Sequence, residues 1–294
     1  MNRIGMIGYN EGNGHPFSFS SIFNGYNENN IDSCPYSTIP DYLKKNNSND
    51  KLLQNSKVTH VWTQDFSISQ NIAAFSNIPN VVKTLDEMIG QIDAIILARD
   101  DHENHYENVS KFITQEIPIF IDKPLAIKVN DAKNILSNQK FDGQIYSISA
   151  LANDNKIIDA KNNLKSIGKI NSISGLMPGS WEKYSVHLID PLIKIFGSDF
   201  SIENHKIIKS DSLTMLKGKS IEGSDISLTC LGGEKCSPFL NIIGEKGFLF
   251  FDFQDPYSAF RNTLQKFSEN IHHKNILRSQ KEIIHSISLI QMGL

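Results

Sequence analysis

The stretch Ile4-Gly5-Met6-Ile7-Gly8-Tyr9-Asn10-Glu11-Gly12-Asn13-Gly14-His15-Pro16 decides the fold. Its uninterrupted apolar run reads as a strand covered on both faces. Glycines follow, and Pro16 suits the first turn of a helix, where its fixed φ fits and its missing N–H is not needed. Strand, glycine turn and helix in that order open a βαβ unit. Such a turn lets the backbone approach a pyrophosphate, and the helix N-terminus adds N–H groups and positive potential. The spacing is Gly-x3-Gly-x-Gly rather than Gly-x-Gly-x-x-Gly, so a plain glycine-rich connection is the competing reading.

Working outward, short apolar runs recur at 58–63, 92–97, 117–121 and 145–148. Helical patterns lie between them, which predicts a parallel sheet built of βαβ units. Phe19, Ile22, Phe23 and Tyr26 share one helical face, and Tyr106, Val109, Phe112 and Ile113 share another. Thr84-Leu85-Asp86-Glu87 spells a capping box, closed at Gly90. Asn130 is expected to cap a helix through Ala132, Ile135 and Leu136. Residues 27–56, rich in Asn, Ser, Asp and Lys, read as a surface insertion with one helix at 42–46. The second half changes rhythm. Segments 169–176, 221–230 and 241–252 read as longer strands. Helices are predicted at 185–196, ending at Gly197, and at 260–272 and 281–292. This is α+β character with a mainly antiparallel sheet. The boundary is placed at Asp122–Lys123, dividing 1–122 from 123–294.

A chain of 294 residues has the length of two ordinary domains. A net charge of −3 argues against a nucleic-acid partner. No segment approaches the ~20 consecutive apolar residues of a membrane span. The chain enters its first strand without a long apolar leader, and Cys34, Cys230 and Cys236 form no CxxC pair. A cytoplasmic protein without a structural metal is the expectation.

Four segments carry candidate chemistry. Gly8, Asn10, Gly12 and Gly14 belong to the glycine turn. The second strand ends Val61-Trp62-Thr63-Gln64-Asp65, placing Thr63 and then an acid where ribose hydroxyls are expected. No Arg or Lys follows to meet a 2′-phosphate, which leans to NAD over NADP. Arg99-Asp100-Asp101-His102-Glu103-Asn104-His105 follows the third hydrophobic strand, at the sheet end where ligands bind. Asp100, Asp101 and His105 are candidate cofactor contacts, as is Asp122 after the next strand; for the first group a metal cluster and simple helix capping are the alternatives. Asp122-Lys123-Pro124 ends the next strand, where partial desolvation lets a Lys exchange a proton with a substrate hydroxyl. A solvated Lys at a hinge is the bland alternative. In Trp181-Glu182-Lys183-Tyr184-Ser185-Val186-His187-Leu188-Ile189-Asp190, His187 and Asp190 share a helical face. Trp181 and Tyr184 suit stacking on a sugar ring. A core helix with a hydrogen-bonded His is the competing reading.

Together these segments resemble the Gfo/Idh/MocA oxidoreductase family, over nearly the whole chain. Asp122-Lys123-Pro124 is similar to its Glu-Lys-Pro signature, His187 and Asp190 to its His-x-x-Asp helix, and Gly244-Glu245-Lys246-Gly247 to a late hairpin. The resemblance implies an N-terminal Rossmann domain and a C-terminal α+β domain with an open sheet used for substrate binding and oligomerisation. It implies an NAD or NADP cofactor, a sugar, polyol or nucleotide-linked sugar substrate, and a dimer or tetramer. Surface polysaccharide biosynthesis is one setting for such a substrate. By position, Lys123 and His187 become the catalytic pair, with Trp181, Lys183, Tyr184 and Asp190 around the substrate. Many relatives carry an Asp where this chain has Lys183, and a cation beside His187 would depress its pKa. That departure leaves open a catalytically impaired sugar- or dinucleotide-binding protein, or a transient-redox glycosidase or epimerase.

Overall fold

The computed structural model describes residues 1–233 and 235–294. Six strands form a parallel sheet: β1 (Asn2–Ile7), β2 (Ser56–Trp62), β3 (Asn80–Val81), β4 (Ala94–Leu97), β5 (Ile119–Ile121) and β6 (Ile145–Tyr146). Their order is β3-β2-β1-β4-β5-β6, with every pairing parallel. β4 and β5 are buried at every residue. That is why these strands read as continuous apolar runs. The chain steps outward from β1 to β3, then returns beside β1 as β4. This reversal is the switch point at which open α/β sheets bind ligands.

Helix α1 (His15–Asn24) follows β1, with Pro16 in its first turn, and is buried from Pro16 through Phe23. Its aromatic face meets Phe75 of α3 (Phe66–Phe75) and Phe120 of β5, with ring centroids 5.4 and 6.1 Å apart. The Thr84–Glu87 capping box forms as expected, on a 3₁₀ turn.

Residues 27–56 lead from α1 into β2 with many residues exposed, but they are folded and anchored rather than loosely solvated. Two short 3₁₀ turns flank α2 (Thr38–Lys45), which starts four residues before the expected helix. Ile31, Ile39, Leu43 and Leu53 are buried. The Asn-rich composition signals turn closure rather than solvation. Asn49 pairs both ways with the Tyr26 backbone, at 2.9 and 3.2 Å. Asn27 accepts the Asn29 amide at 3.0 Å.

The second sheet contains β7 (Ile170–Met177), β8 (Glu203–Ser210), β9 (Leu213–Lys219), β10 (Asp225–Cys230), β11 (Phe239–Gly244) and β12 (Phe248–Phe251). The order is β12-β11-β7-β10-β9-β8. Only β7 and β10 run parallel among these pairs. The expected strand at 241–252 is a hairpin, because Gly244 donates to the Gly247 carbonyl and reverses the chain. Residues 221–224 form a turn. β8 gave no sequence signal because it is exposed along almost its whole length and has no core face to alternate against. Ile173, Leu228, Leu240 and Ile242 point to the covered face. A Cβ on Gly175 would come within 2.9 Å of Leu188, on α8 (Val186–Phe196), so that glycine lets the helix sit close to the sheet. The other face carries exposed Ile208, Ile243, Phe248 and Phe250.

The remaining helices are α4 (His105–Ile113), α5 (Val129–Leu136), α6 (Asn155–Asn163), α7 (Trp181–Tyr184), α9 (Pro256–Asn270) and α10 (Gln280–Gln291). Asn130 lies inside α5 rather than capping it.

By its contacts the chain forms two units: Met1–Asp122 with Ile135–Ser147 and Phe260–Ser279, and Lys123–Asn134 with Ile148–Ala259 and Gln280–Leu294. This differs from a single division at 1–122 and 123–294. β6 hydrogen-bonds to β5, and Phe267 packs against Phe120 at 5.9 Å, drawing both later segments back to the parallel sheet.

Candidate functional site

In the first unit, side chains at the carboxyl end of the parallel sheet tie the loops to one another. A Cβ on Gly8 would lie 2.5 Å from Pro16, so only glycine lets β1 turn this tightly into α1. Gly12 has φ +85° and open space around it. At Gly14 the constraint is packing, since a Cβ there would strike Ile39 and Tyr36. Its bare backbone lets the inserted segment settle onto the turn. Tyr36 donates to the Tyr9 hydroxyl at 3.0 Å. Burial, then the bond to Tyr9, pushes its phenol well above the ordinary value.

Asn10 and Asp100 form a reciprocal pair. The Asn10 amide donates to the Asp100 carboxylate at 2.6 Å, and the Asp100 backbone N–H donates to Asn10 Oδ1 at 3.1 Å. Asp122, only 2% exposed, accepts from Asn13 at 3.1 Å and meets His15 Nδ1 at 2.5 Å. Arg99 forks onto Asp101 at 2.8 and 2.5 Å and reaches Gln64 at 3.1 Å. Gln64 in turn brackets the Tyr9 backbone. Burial alone would raise the Asp101 carboxyl, but hydrogen bonds from Arg99 and Asn104 and the Arg99 charge hold it below its ordinary value.

Two expected cofactor contacts are internal. Thr63 is buried, and its hydroxyl bonds Ser69 and the Asp65 carbonyl. His105 is fully buried, with Nε2 on the Arg99 carbonyl at 2.9 Å. It fixes the loop after β4 instead of facing a ligand. Asp65 is exposed, and hydrogen bonds from the Ser67 side chain and backbone hold its carboxyl below the ordinary value.

The residues fit a dinucleotide. The turn at Gly8 brings strand and helix close, the rim at Gly12 is open, and an exposed carboxylate stands after β2. One amide that a phosphate would draw on is already satisfied, since Asn13 Oδ1 accepts that of His15 at 2.8 Å.

In the second unit, Lys123, Tyr184 and His187 cluster. Lys123 stands two residues beyond β5 and is 5% exposed, with Nζ 5.2 Å from the Tyr184 ring centroid. The Tyr184 ring lies 5.8 Å from that of His187. His187 lies in the first turn of α8, and its Nδ1 lies 2.7 Å from Ser149 Oγ. Lys183 is half-buried on α7.

Trp181 and Asp190 depart from the sugar-contact role. Trp181 is buried with its indole N–H on the Ile290 carbonyl at 2.8 Å, and a Cβ on Gly293 would overlap its ring. It anchors α10. Asp190, 1% exposed, accepts the Ser149 amide at 2.7 Å and the Ser286 hydroxyl at 2.6 Å. It braces α8 instead of facing a ligand. Sequence reading missed Asn13, His15, Gln64, Arg99 and Ser149 as parts of these clusters. Each pairs with a residue 35 to 109 positions away, a partnership that local spacing does not reveal. Among the described residues, no group of three His, Cys, Asp or Glu could hold a metal, and no helix is long and apolar enough to cross a membrane.

Residues 39–149 match the model of the oxidoreductase family with an NAD-binding Rossmann fold, Gfo/Idh/MocA. Among solved structures, scyllo-inositol dehydrogenase from Lactobacillus casei, with bound NAD(H) and scyllo-inositol, superposes with a TM-score of 0.74 at 13% identity, covering 100% of this chain and 96% of that one. Myo-inositol 2-dehydrogenase from Lactobacillus plantarum gives 0.73 at 14%, covering 99% and 95%. UDP-N-acetylglucosamine 3-dehydrogenase from Acidithiobacillus ferrooxidans gives 0.73 at 10%, covering 99% and 96%. At such identities the likeness is one of fold. Sequence comparison with curated proteins gives no match.

Proposed function

Since residues 39–149 match the Gfo/Idh/MocA oxidoreductases and their fold runs the length of the chain, we propose that the protein is an NAD(P)-dependent dehydrogenase acting on a CH–OH group of a sugar, polyol or nucleotide-linked sugar. The observation that carries this is the cluster of Lys123, Tyr184 and His187.

The nicotinamide, when bound, supplies the hydride acceptor or donor. Gly8, Asn10 and Gly12 would line the dinucleotide, with Asp65 toward a ribose. An ionised carboxylate at that place disfavours a 2′-phosphate, which supports NAD over NADP. Lys123 is largely withdrawn from solvent and held over the Tyr184 ring by cation–π attraction. It orients the substrate hydroxyl by donating to it. His187 takes the hydroxyl proton in oxidation and returns it in reduction. Tyr184 stands between them and offers its ring to the sugar.

The exposed apolar face of the second sheet supports a homo-oligomer, dimer or tetramer. Three free cysteines fit a reducing cytoplasm. The chemistry suits a nucleotide-linked sugar destined for surface polysaccharide.

One observation favours a second reading, a dinucleotide- or sugar-binding protein without turnover: the His15 amide at the start of α1 is already satisfied by Asn13. Titrating NADH and NADPH against the fluorescence of Trp62 and Trp181, then assaying hydride transfer across a panel of polyols and nucleotide sugars, separates the two. Dehydrogenase action predicts saturable NADH binding and turnover. Binding without turnover on any substrate favours the second reading, and no binding at millimolar cofactor removes both.

A further inference from the structure

Ser149 stands at the N-cap of a short 3₁₀ turn, Ala150–Asn153, yet its hydroxyl caps nothing. A serine there ordinarily accepts a backbone N–H of the turn it precedes. Here Oγ turns away to His187 Nδ1 at 2.7 Å, and the residue is fully buried. Its backbone N–H is fixed separately, donating at 2.7 Å to Asp190 Oδ2. Asp190 is held from its other oxygen by Ser286 at 2.6 Å. Asp190 and His187 lie three residues apart on α8. Ser149 is therefore gripped twice by one helix face, through its amide and through its hydroxyl. The circuit closes on the imidazole.

We propose that Ser149 is a positioning residue for His187, a neutral hydroxyl that supports either imidazole tautomer. This rests on the dehydrogenase reading above. A carboxylate at Nδ1 would hold a proton there and favour the charged ring. A hydroxyl is both donor and acceptor. It accepts from Nδ1–H both in the neutral ring whose bare Nε2 takes a proton and in the charged ring that results, and donates to Nδ1 only in the other neutral tautomer. In oxidation Nε2 would take the substrate O–H proton, and the oxidised nicotinamide, when bound, would supply the acceptor for the hydride from the carbinol C–H. Nδ1–H stays bonded to Ser149 throughout. Reduction reverses each transfer. Asp190 acts one step back, setting where Ser149 stands.

The test uses the full chain labelled with ¹⁵N-histidine, without cofactor, with a His187→Gln variant to assign the resonance. Ser149→Ala is expected to move the His187 nitrogen shifts toward the Nε2–H tautomer that a free imidazole prefers. Ser149→Thr, which restores a hydroxyl, is expected to return them. In turnover, Ser149→Ala should lower kcat about tenfold or more, within the range of a general acid–base contribution, with KM and cofactor affinity within about twofold. Unchanged nitrogen shifts in Ser149→Ala with a wild-type melting curve overturn the proposal, as does a loss confined to KM. The spectra are recorded without turnover, so failure of the dehydrogenase reading leaves this readout intact.

Discussion

Lys123 sits almost wholly inside the protein over the Tyr184 ring. Lys123→Met keeps the stem and removes the ammonium, so kcat should fall by about 10²-fold or more while the fold persists, read as turnover beside a thermal melt. The Arg99–Asp101 pair makes a second prediction. Its carboxyl titrates below its ordinary value in the folded state. Its stabilisation is therefore present above the unfolded carboxyl pKa of about 3.9 and is lost as pH falls through the lower folded value. Asp101→Asn should cost about 2 kcal/mol near neutrality, and denaturant midpoints of variant and parent should converge as pH is lowered through the acid range. Residues marked by local spacing were only partly legible. Asp100, Asp122, Lys123 and His187 stand in polar clusters at the places their motifs suggested. Trp181 and Asp190 shared the same motif but face the core, because Ile290 and Ser286 of a distant helix claim them.

At the level of elements, hydrophobic period was a good guide where a segment is buried on one or both faces, as in β1, β4 and α1. It failed where burial is absent, as in β8, and where polar composition hides a packed segment, as in residues 27–56. That segment gives a sharp test. Leu43 on α2 is fully buried, so Leu43→Ala should destabilise by about 2–5 kcal/mol in chemical denaturation. A loop riding on the surface would show almost no change. Gly8→Ala forces a methyl group against Pro16 and should cost about 1–3 kcal/mol. It should also weaken NADH binding, measured by the same fluorescence titration.

For the molecule as a whole, the exposed Phe248 and Phe250 on the open sheet predict self-association. Light scattering should report a dimer or tetramer, and Phe250→Lys should shift it toward the monomer. The fold class was readable because two rhythms, βαβ and then antiparallel strands, follow one another along the sequence. The return of the chain to the first unit was not, since nothing local in 260–279 says which sheet it will cover.

That return bears on how the protein is made. Asn2 donates to the carbonyl of Ser268, and Phe267 packs on Phe120, so the parallel sheet is completed by residues translated long after its last strand. Synthesis runs at about 5–20 residues per second. For several seconds a nascent polypeptide would hold most of its parallel-sheet unit without the helix that seals it. Arrested ribosomal complexes halted soon after residue 150 should remain open to protease, and those extended past residue 279 should resist it.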